Sequence, residues 1–326
     1  MIKVIFDFLQ FLLTCAHLLT SLALFTLLSI WLAKSIKKNS KIYYAILAIP
    51  LALVAIPTIL RWCGAPLQVN FAGMPVLGHI LRDYIHMGTL GHPLLIIIMY
   101  MGALDSKIPF VKKLMSIRKE LSIIAGFPVL THSLIRTANN FMSPLQFFTD
   151  REAYIASNPV ASELGAGISS FSLVLGILML MIFIPLWVTS FDSVRKRMNA
   201  VKWKKLQKWS YVLYATLFIH AAGIAVGGIM NPRGGGAPQR PAIEVTAQEK
   251  GENLRVEQAS RPTENRSQNT QATPQSGRVM PKSFSDFQVP RKNIQYIHLA
   301  SLVLIYGSYL FLRVRKAKKR KLLMII

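Results

Sequence analysis

The sequence predicts an all-α, polytopic membrane helical bundle of about seven transmembrane helices, with the N-terminus outside and the C-terminus cytoplasmic. Three observations carry this. Of the 326 residues, 52% are hydrophobic and 16% charged, where a soluble chain carries about 25% charged residues. The apolar residues come in unbroken blocks, Phe171 to Val188 holding no charge over eighteen positions. About 20 helical residues cross the ~30 Å of a bilayer's hydrocarbon. The basic residues gather in short runs between such blocks. A soluble enzyme, a secreted disulfide scaffold and a nucleic-acid-binding domain are excluded on these grounds.

The spans fall near 4–33, 42–60, 87–104, 120–137, 167–189, 209–229 and 294–312. The first is too long for a signal peptide, and no small-residue cleavage site follows it. Lys34, Lys37, Lys38 and Lys41 separate it from the second. Lys107, Lys112, Lys113, Arg118 and Lys119 lie between the third and fourth, the fourth carrying Pro128 within it. A proline there either kinks the helix or is simply tolerated, as in many membrane helices. Arg195, Lys196, Arg197, Lys202, Lys204, Lys205 and Lys208 join the fifth span to the sixth. Arg313, Arg315, Lys316, Lys318, Lys319, Arg320 and Lys321 follow the seventh. These four runs hold 23 of the 38 basic residues. With seven spans all four lie on one side, which the positive-inside rule makes cytoplasmic. The net charge of +24 is thus a topology signal and needs no nucleic acid, and the chain is expected in the cell inner (plasma) membrane.

Between the sixth and seventh spans lies a Gly-, Pro-, Gln- and Ser-rich segment, expected to be a disordered outer loop. It serves as a tether or as a docking segment for a partner. The organisation is then 1–84, two transmembrane helices and an outer loop; 85–230, a four-helix core; 231–292, the disordered loop; and 293–326, the last helix with its basic tail. Cys15, in the first span, and Cys63, after the second, suggest neither a disulfide nor a thiolate metal site. Phosphate-binding, serine-hydrolase and zinc-protease motifs are absent from the sequence.

Ionisable groups within the membrane are costly and mark functional sites. Of the 14 acidic residues only Asp7 falls well inside a span, which counts against a transporter or sensor built on a carboxylate relay. The histidines are His17, His79, His86, His92, His132, His220 and His298. His132 lies 11 residues after Leu121, and His220 lies 11 after Trp209. Both spans run outward from the basic side, so both imidazoles stand ~16 Å above it. Two such histidines can clamp one haem iron from opposite faces; alternatively, each hydrogen-bonds a neighbouring helix. Arg136, on the same helix face as His132, can pair with a haem propionate or snorkel to the interface. Arg61 and Arg82 have the same two readings. His92 stands near the outer end of the third span, as an alternative ligand or a packing residue. His17 and His298 read as structural; His79 and His86 fall in an outer connection.

The segment IRKELSIIAGFPVLTHSLIR, 117–136, resembles a histidine-bearing helix of the ferric reductase-like transmembrane family, with Arg118, Lys119, Leu121 and His132 at the family's spacing. TSFDSVRKRMNAVKWKKLQKWSYVLYATLFIHA, 189–221, is similar to that family's signature between its next two helices, retaining Thr189, Ser190, Trp203, Leu206, Tyr211 and His220. HMGTLGHPLL, 86–95, is a weaker match. Within the family the pattern is nearest to the haem-binding membrane subunits of methionine sulfoxide reductase. The family commonly has a histidine where Gln207 stands and a glycine where Ser122 stands, and the second histidine of each ligand pair in two-haem relatives is missing. The resemblance implies one b-type haem (heme b) on His132 and His220, with FMN or a quinone as a possible second cofactor. It further implies an outer-face acceptor, either a redox enzyme or a ferric complex. The donor would be a membrane quinol or a cytosolic flavin reductase. A cofactor-free scaffold subunit is the remaining alternative.

Overall fold

A computed structural model of the chain describes residues 16–65, 88–158, 162–231 and 291–323. Most of the 231–292 segment, the start of the first span with Asp7 and Cys15, and His79, Arg82 and His86 lie outside these residues. Among the described residues every regular element is a helix. They are α1 His17–Trp31, α2 Ala33–Lys38, α3 Ser40–Trp62, α4 Gly91–Ala103, α5 Pro109–Met115, α6 Arg118–Asn140, α7 Met142–Thr149, α8 Arg151–Ser157, α9 Glu163–Val188, α10 Asp192–Arg195, α11 Ala200–Gln207, α12 Ser210–Met230 and α13 Arg291–Leu323. In hydrocarbon an unpaired backbone N–H or C=O costs several kcal/mol, so an apolar run satisfies itself as helix. Five stretches are long and apolar enough to cross a membrane: α3, α6, α9, the run containing α12, and α13. Helices α1 and α4 are shorter apolar helices, and the expected spans 4–33 and 87–104 that contain them begin outside the described residues.

Local chemistry sets the breaks. Gly64, at φ 79°, follows α3 in a left-handed conformation that glycine adopts without a Cβ penalty. Pro109 occupies the first turn of α5, where its missing N–H costs nothing. Asp150 caps α8 by accepting from the Ala153 N–H at 3.0 Å, and Asn199 caps α11 by accepting from Val201 at 2.8 Å. Helix α6 runs unbroken through Pro128.

Five helices close a ring in which each packs on the next: α6, α4, α13, α12, α9 and back to α6. Helix α1 packs outside against α4 and α13, and α3 outside against α6. Leu27, Ile46, Ile49, Met181 and Leu310 are exposed, the lipid-facing surface that such a bundle needs. The tightest seam joins α9 to α12. A Cβ on Gly223 would overlap the Ser172 hydroxyl, and one on Gly227 the Ser169 hydroxyl. Small residues let two backbones approach this closely.

One end of the ring carries the Lys/Arg runs and is densely filled. Leu95, Ile98 and Met101 of α4 pack there with Leu121 and Ile124 of α6, Leu186 of α9, Leu213 and Leu217 of α12, and Leu302 and Ile305 of α13. At this end α13 continues as helix past the expected limit of its span. Arg313 donates to the Gly102 carbonyl at 3.0 Å, and Lys316 to Leu104 at 2.7 Å. These cations cap the free carbonyls at the C-terminus of α4. Lys119 pairs with Asp192 at 2.9 Å and holds that exposed carboxyl below the usual carboxylate range.

Helix α6 is keyed to α9 by Trp187, whose indole N–H donates to the Ile123 carbonyl at 3.0 Å. A Cβ on Gly126 would fall inside that indole. Gly126→Ala is therefore expected to destabilise the detergent-solubilised protein by about 1–3 kcal/mol, the usual cost of overpacking. Trp187→Phe in the same chain should recover most of the loss in a thermal-unfolding assay. An unchanged midpoint for Gly126→Ala would contradict this packing.

Candidate functional site

Away from the basic end the ring interior changes character. From His132 to Ala138 on α6, and from His220 to Ile224 on α12, each residue is partly exposed rather than buried. Here the imidazoles gather. His92 of α4 lies within electrostatic reach of His298, His220 and His132 on the other ring helices, and of His17 on α1 outside the ring.

His220 is the most firmly fixed. Its Nδ1 lies 2.6 Å from the Ser172 carbonyl oxygen on α9. A carbonyl only accepts, so Nδ1 carries the hydrogen and Nε2 keeps the lone pair. The ring lies on Gly176, where a Cβ would come 2.8 Å from Cε1 and 3.1 Å from Nδ1. The α9–α12 seam thus sets both the tautomer and the tilt of this imidazole.

His132 stands one turn beyond Pro128 on α6. Its ring packs over Gly88, which has φ 74° and whose Cβ, if present, would lie 3.5 Å from Cε1. Gly91 backs onto Val129, where a Cβ would sit 2.7 Å from Cγ2. Two glycines of the 86–95 segment therefore bring the entry of α4 against the His132 turn. Helices α6 and α12 do not pack extensively on each other; α9 contacts both. The two candidate ligands are held on facing sides of the ring, not in one helix pair.

Arg136 follows His132 by one turn and is partly buried. Its charge reaches the His220 ring. Among the described residues the ion pairs join Lys119 to Glu120 and Asp192, and Arg151 to Glu163. None neutralises Arg136. Arg61 is exposed at the end of α3, which packs on α6. His92 Nε2 lies 3.1 Å from the Tyr306 hydroxyl of α13. His17 and His298 stack, with ring centroids 4.8 Å apart and planes 9° from parallel. Cys63 is free and exposed. Among the described residues no three His, Cys, Asp or Glu side chains form a group able to hold a bare metal ion. A macrocycle that brings its own equatorial nitrogens needs only the axial two.

A groove of about 700 Å³ lies along the α9–α12 seam, lined by Phe147, Phe148, Phe171, Phe218 and Ile219 among others and by none of the histidines. It is mostly apolar, with the Arg151–Glu163 pair among its lining. Sequence reasoning missed Ser172, Gly176, Gly88, Gly91 and Tyr306. Ser172 and Gly176 had a signal: small residues at four-residue spacing, as also Gly223 with Gly227, mark close helix contacts. Tyr306 had none, because its partner is 214 positions away.

Residues 85–218 match a family model described as the ferric reductase like transmembrane component. A protein of Treponema pallidum (strain Nichols), described as an uncharacterized protein, is 26% identical over 204 residues, taking in 62% of this chain and 51% of that one. The chain thus spans about half the length of that relative. No solved structure matches. The matched segment contains α4 to α11 and the first part of α12, with His92, His132 and Arg136 inside it and His220 two residues past its end. The match supports a ferric reductase-like domain over residues 85–218 of this multi-pass membrane protein.

Proposed function

We propose that this chain is a membrane electron-transfer subunit, a b-type cytochrome that holds one haem b between His132 and His220 and serves an acceptor at the outer face. The observation that carries the reading is the fixed His220 ring, with Nδ1–H spent on the Ser172 carbonyl at 2.6 Å. Metal-ligating histidines usually have their second nitrogen so engaged, which orients the ring and raises its basicity. His132, in the facing wall and seated on Gly88, is the second imidazole. Bound there, a haem would supply a one-electron iron couple, its potential tuned by axial ligands and surroundings.

The chain's own residues then have distinct tasks. His220 and His132 present lone pairs across the ring. Gly176 and Gly88 leave room for the two imidazoles to lie flat on the neighbouring backbone. Arg136, uncompensated by a carboxylate among the described residues, offers a charge partner for a propionate. The packed basic end separates the site from one aqueous phase. By the positive-inside rule that phase is the cytoplasm and the membrane is the cell inner (plasma) membrane. The site then stands in the outer half, suited to an outer-face redox enzyme or ferric complex as acceptor. A membrane quinol reaches that depth directly; a cytosolic flavin reductase would need a further cofactor such as FMN. The sequence pattern aligns the chain most nearly with the membrane subunits of methionine sulfoxide reductase.

Optical spectra of the detergent-purified protein, made with adequate haem supply, test the reading. A reduced b-type spectrum is expected for the native chain and its loss for both His132→Ala and His220→Ala. A colourless native protein, or retention of the spectrum in either variant, overturns it. Gly176→Val should weaken haem affinity by about 10- to 100-fold, the range seen when ligand-orienting partners are disturbed. Gly307→Ala, at a position with open space around it, should leave affinity unchanged in the same titration.

A further inference from the structure

The groove along the α9–α12 seam reaches the depth of His220. Its volume of about 700 Å³ falls in the range of sites for organic ligands, ~300–1,000 Å³. Along α9 its wall runs from Glu163 to Ser172, about 13 Å at ~1.5 Å per residue. Ser172 is the residue whose carbonyl accepts the His220 N–H. On α12, Ile219 and Gly223 line the same groove, one before His220 in sequence and one after it. An occupant therefore lies against the stretch of α12 that carries the candidate iron ligand.

The end of the groove remote from the basic runs is polar. There Arg151 of α8 pairs with Glu163 of α9, and both side chains are exposed. The Arg151 guanidinium also lies over the Phe147 ring, 5.5 Å from its centroid. Phe147 is held by Tyr154, with centroids 5.3 Å apart and planes at 90°. Its edge faces Gly167, where a Cβ would come 3.2 Å from Cζ. The missing side chain leaves room for a flat head beside the phenyl ring and one helical turn below Glu163. Farther along, Phe171 and Ile219 are exposed, so the groove opens sideways onto the lipid-facing surface and lets an apolar tail leave. A phospholipid is the other occupant such a groove admits. Its phosphate would meet a guanidinium that is already paired, with the Glu163 carboxylate beside it. A neutral head that donates O–H to a carboxylate and accepts N–H from a guanidinium matches both members of the pair.

Resting on the haem reading above, we propose that this groove binds an isoprenoid quinol and is where the His132–His220 centre receives its electrons. The head lies among Glu163, Arg151 and Phe147, and the tail runs out past Phe171 and Ile219. Oxidation of the quinol to the quinone breaks two O–H bonds and releases two electrons and two protons. The electrons leave singly towards the centre and end on the outer-face acceptor, which is reduced. Both protons end in the water at the polar mouth, the first by way of the Glu163 carboxylate. Arg151 donates to the head oxygen that becomes a carbonyl. An exposed ion pair adds little to stability, so Glu163→Gln leaves the fold intact and changes the chemistry at the mouth.

Photolabelling with an azido-quinone, on the purified chain in phosphatidylcholine liposomes, tests the site whether or not haem is bound. Label is expected on peptides containing Phe148, residues 167–171 or Ile219, displaced by a short-chain quinone and not by phosphatidylglycerol. Gly167→Leu, which puts a side chain where the head lies, should weaken quinone affinity about 10-fold or more. Phe148→Ala, at an exposed position that the fold tolerates, should weaken it about 2- to 10-fold. Optical kinetics of haem reduction by a short-chain quinol give a second readout. Glu163→Gln should lower kcat roughly 100-fold and leave KM and labelling unchanged, the split expected of a proton acceptor. An unchanged kcat in that variant overturns the role of the carboxylate. Label confined to other surfaces, affinity unchanged in both groove variants, or displacement by phosphatidylglycerol overturns the proposal, and a haem spectrum alongside leaves the cytochrome reading standing. Label in the groove of a colourless protein defeats that reading and the electron step with it, and keeps only the quinone site.

Discussion

The hydrogen bond from His220 to the Ser172 carbonyl is the constraint around which the rest of the site is arranged. At 2.6 Å it requires the α12 side chain to reach the α9 backbone, which is possible only because Gly176, Gly223 and Gly227 let the two helices close on each other. Once α9 and α12 are fixed, α13 closes against α12 and α4, and α6 is keyed back to α9 by Trp187. The ring therefore begins from one contact between small residues. That contact also sets which nitrogen of His220 carries a lone pair.

The bundle divides its interior along the membrane normal. At the basic end, leucine, isoleucine and methionine fill the ring, and the cations of α13 cap the carbonyls that α4 leaves free. At the other end the ring helices carry His92, with His132, His220 and His298 within its electrostatic reach. Burying so many polar rings in hydrocarbon is favourable only if each finds a partner. The partners differ in kind: a carbonyl for His220, a hydroxyl for His92 and a second imidazole for His298. His17 and His298, which read from sequence as structural, stack on each other.

Much of the fold was legible because hydrocarbon makes long apolar runs helical whatever their neighbours. The expected spans 42–60, 120–137, 167–189 and 209–229 fall within or close to α3, α6, α9 and α12. The short helices at 142–157 escaped notice, since they lie in a connection and have no membrane-length apolar run. The basic runs were read as topology alone. Arg313 and Lys316 also serve as caps, a role that depends on Gly102 and Leu104 some 200 residues away. The matched heights of His132 and His220 were visible as equal spacings from helix ends. Their separation by α9 was not, because spacing gives depth and says nothing of the order of helices around a ring. Similarly, Arg136 could be placed beside His132 from the helical period, whereas its reach to His220 required the tertiary structure.

The account turns on two imidazoles from different helices binding one iron. Electron paramagnetic resonance of the oxidised, purified protein addresses this most directly, because the spin state reports the axial field. A low-spin ferric signal of the bis-imidazole kind, lost when either His132 or His220 is replaced, is the predicted result. A predominantly high-spin signal in the native protein, or a low-spin signal that survives both replacements, would contradict the ligand pair.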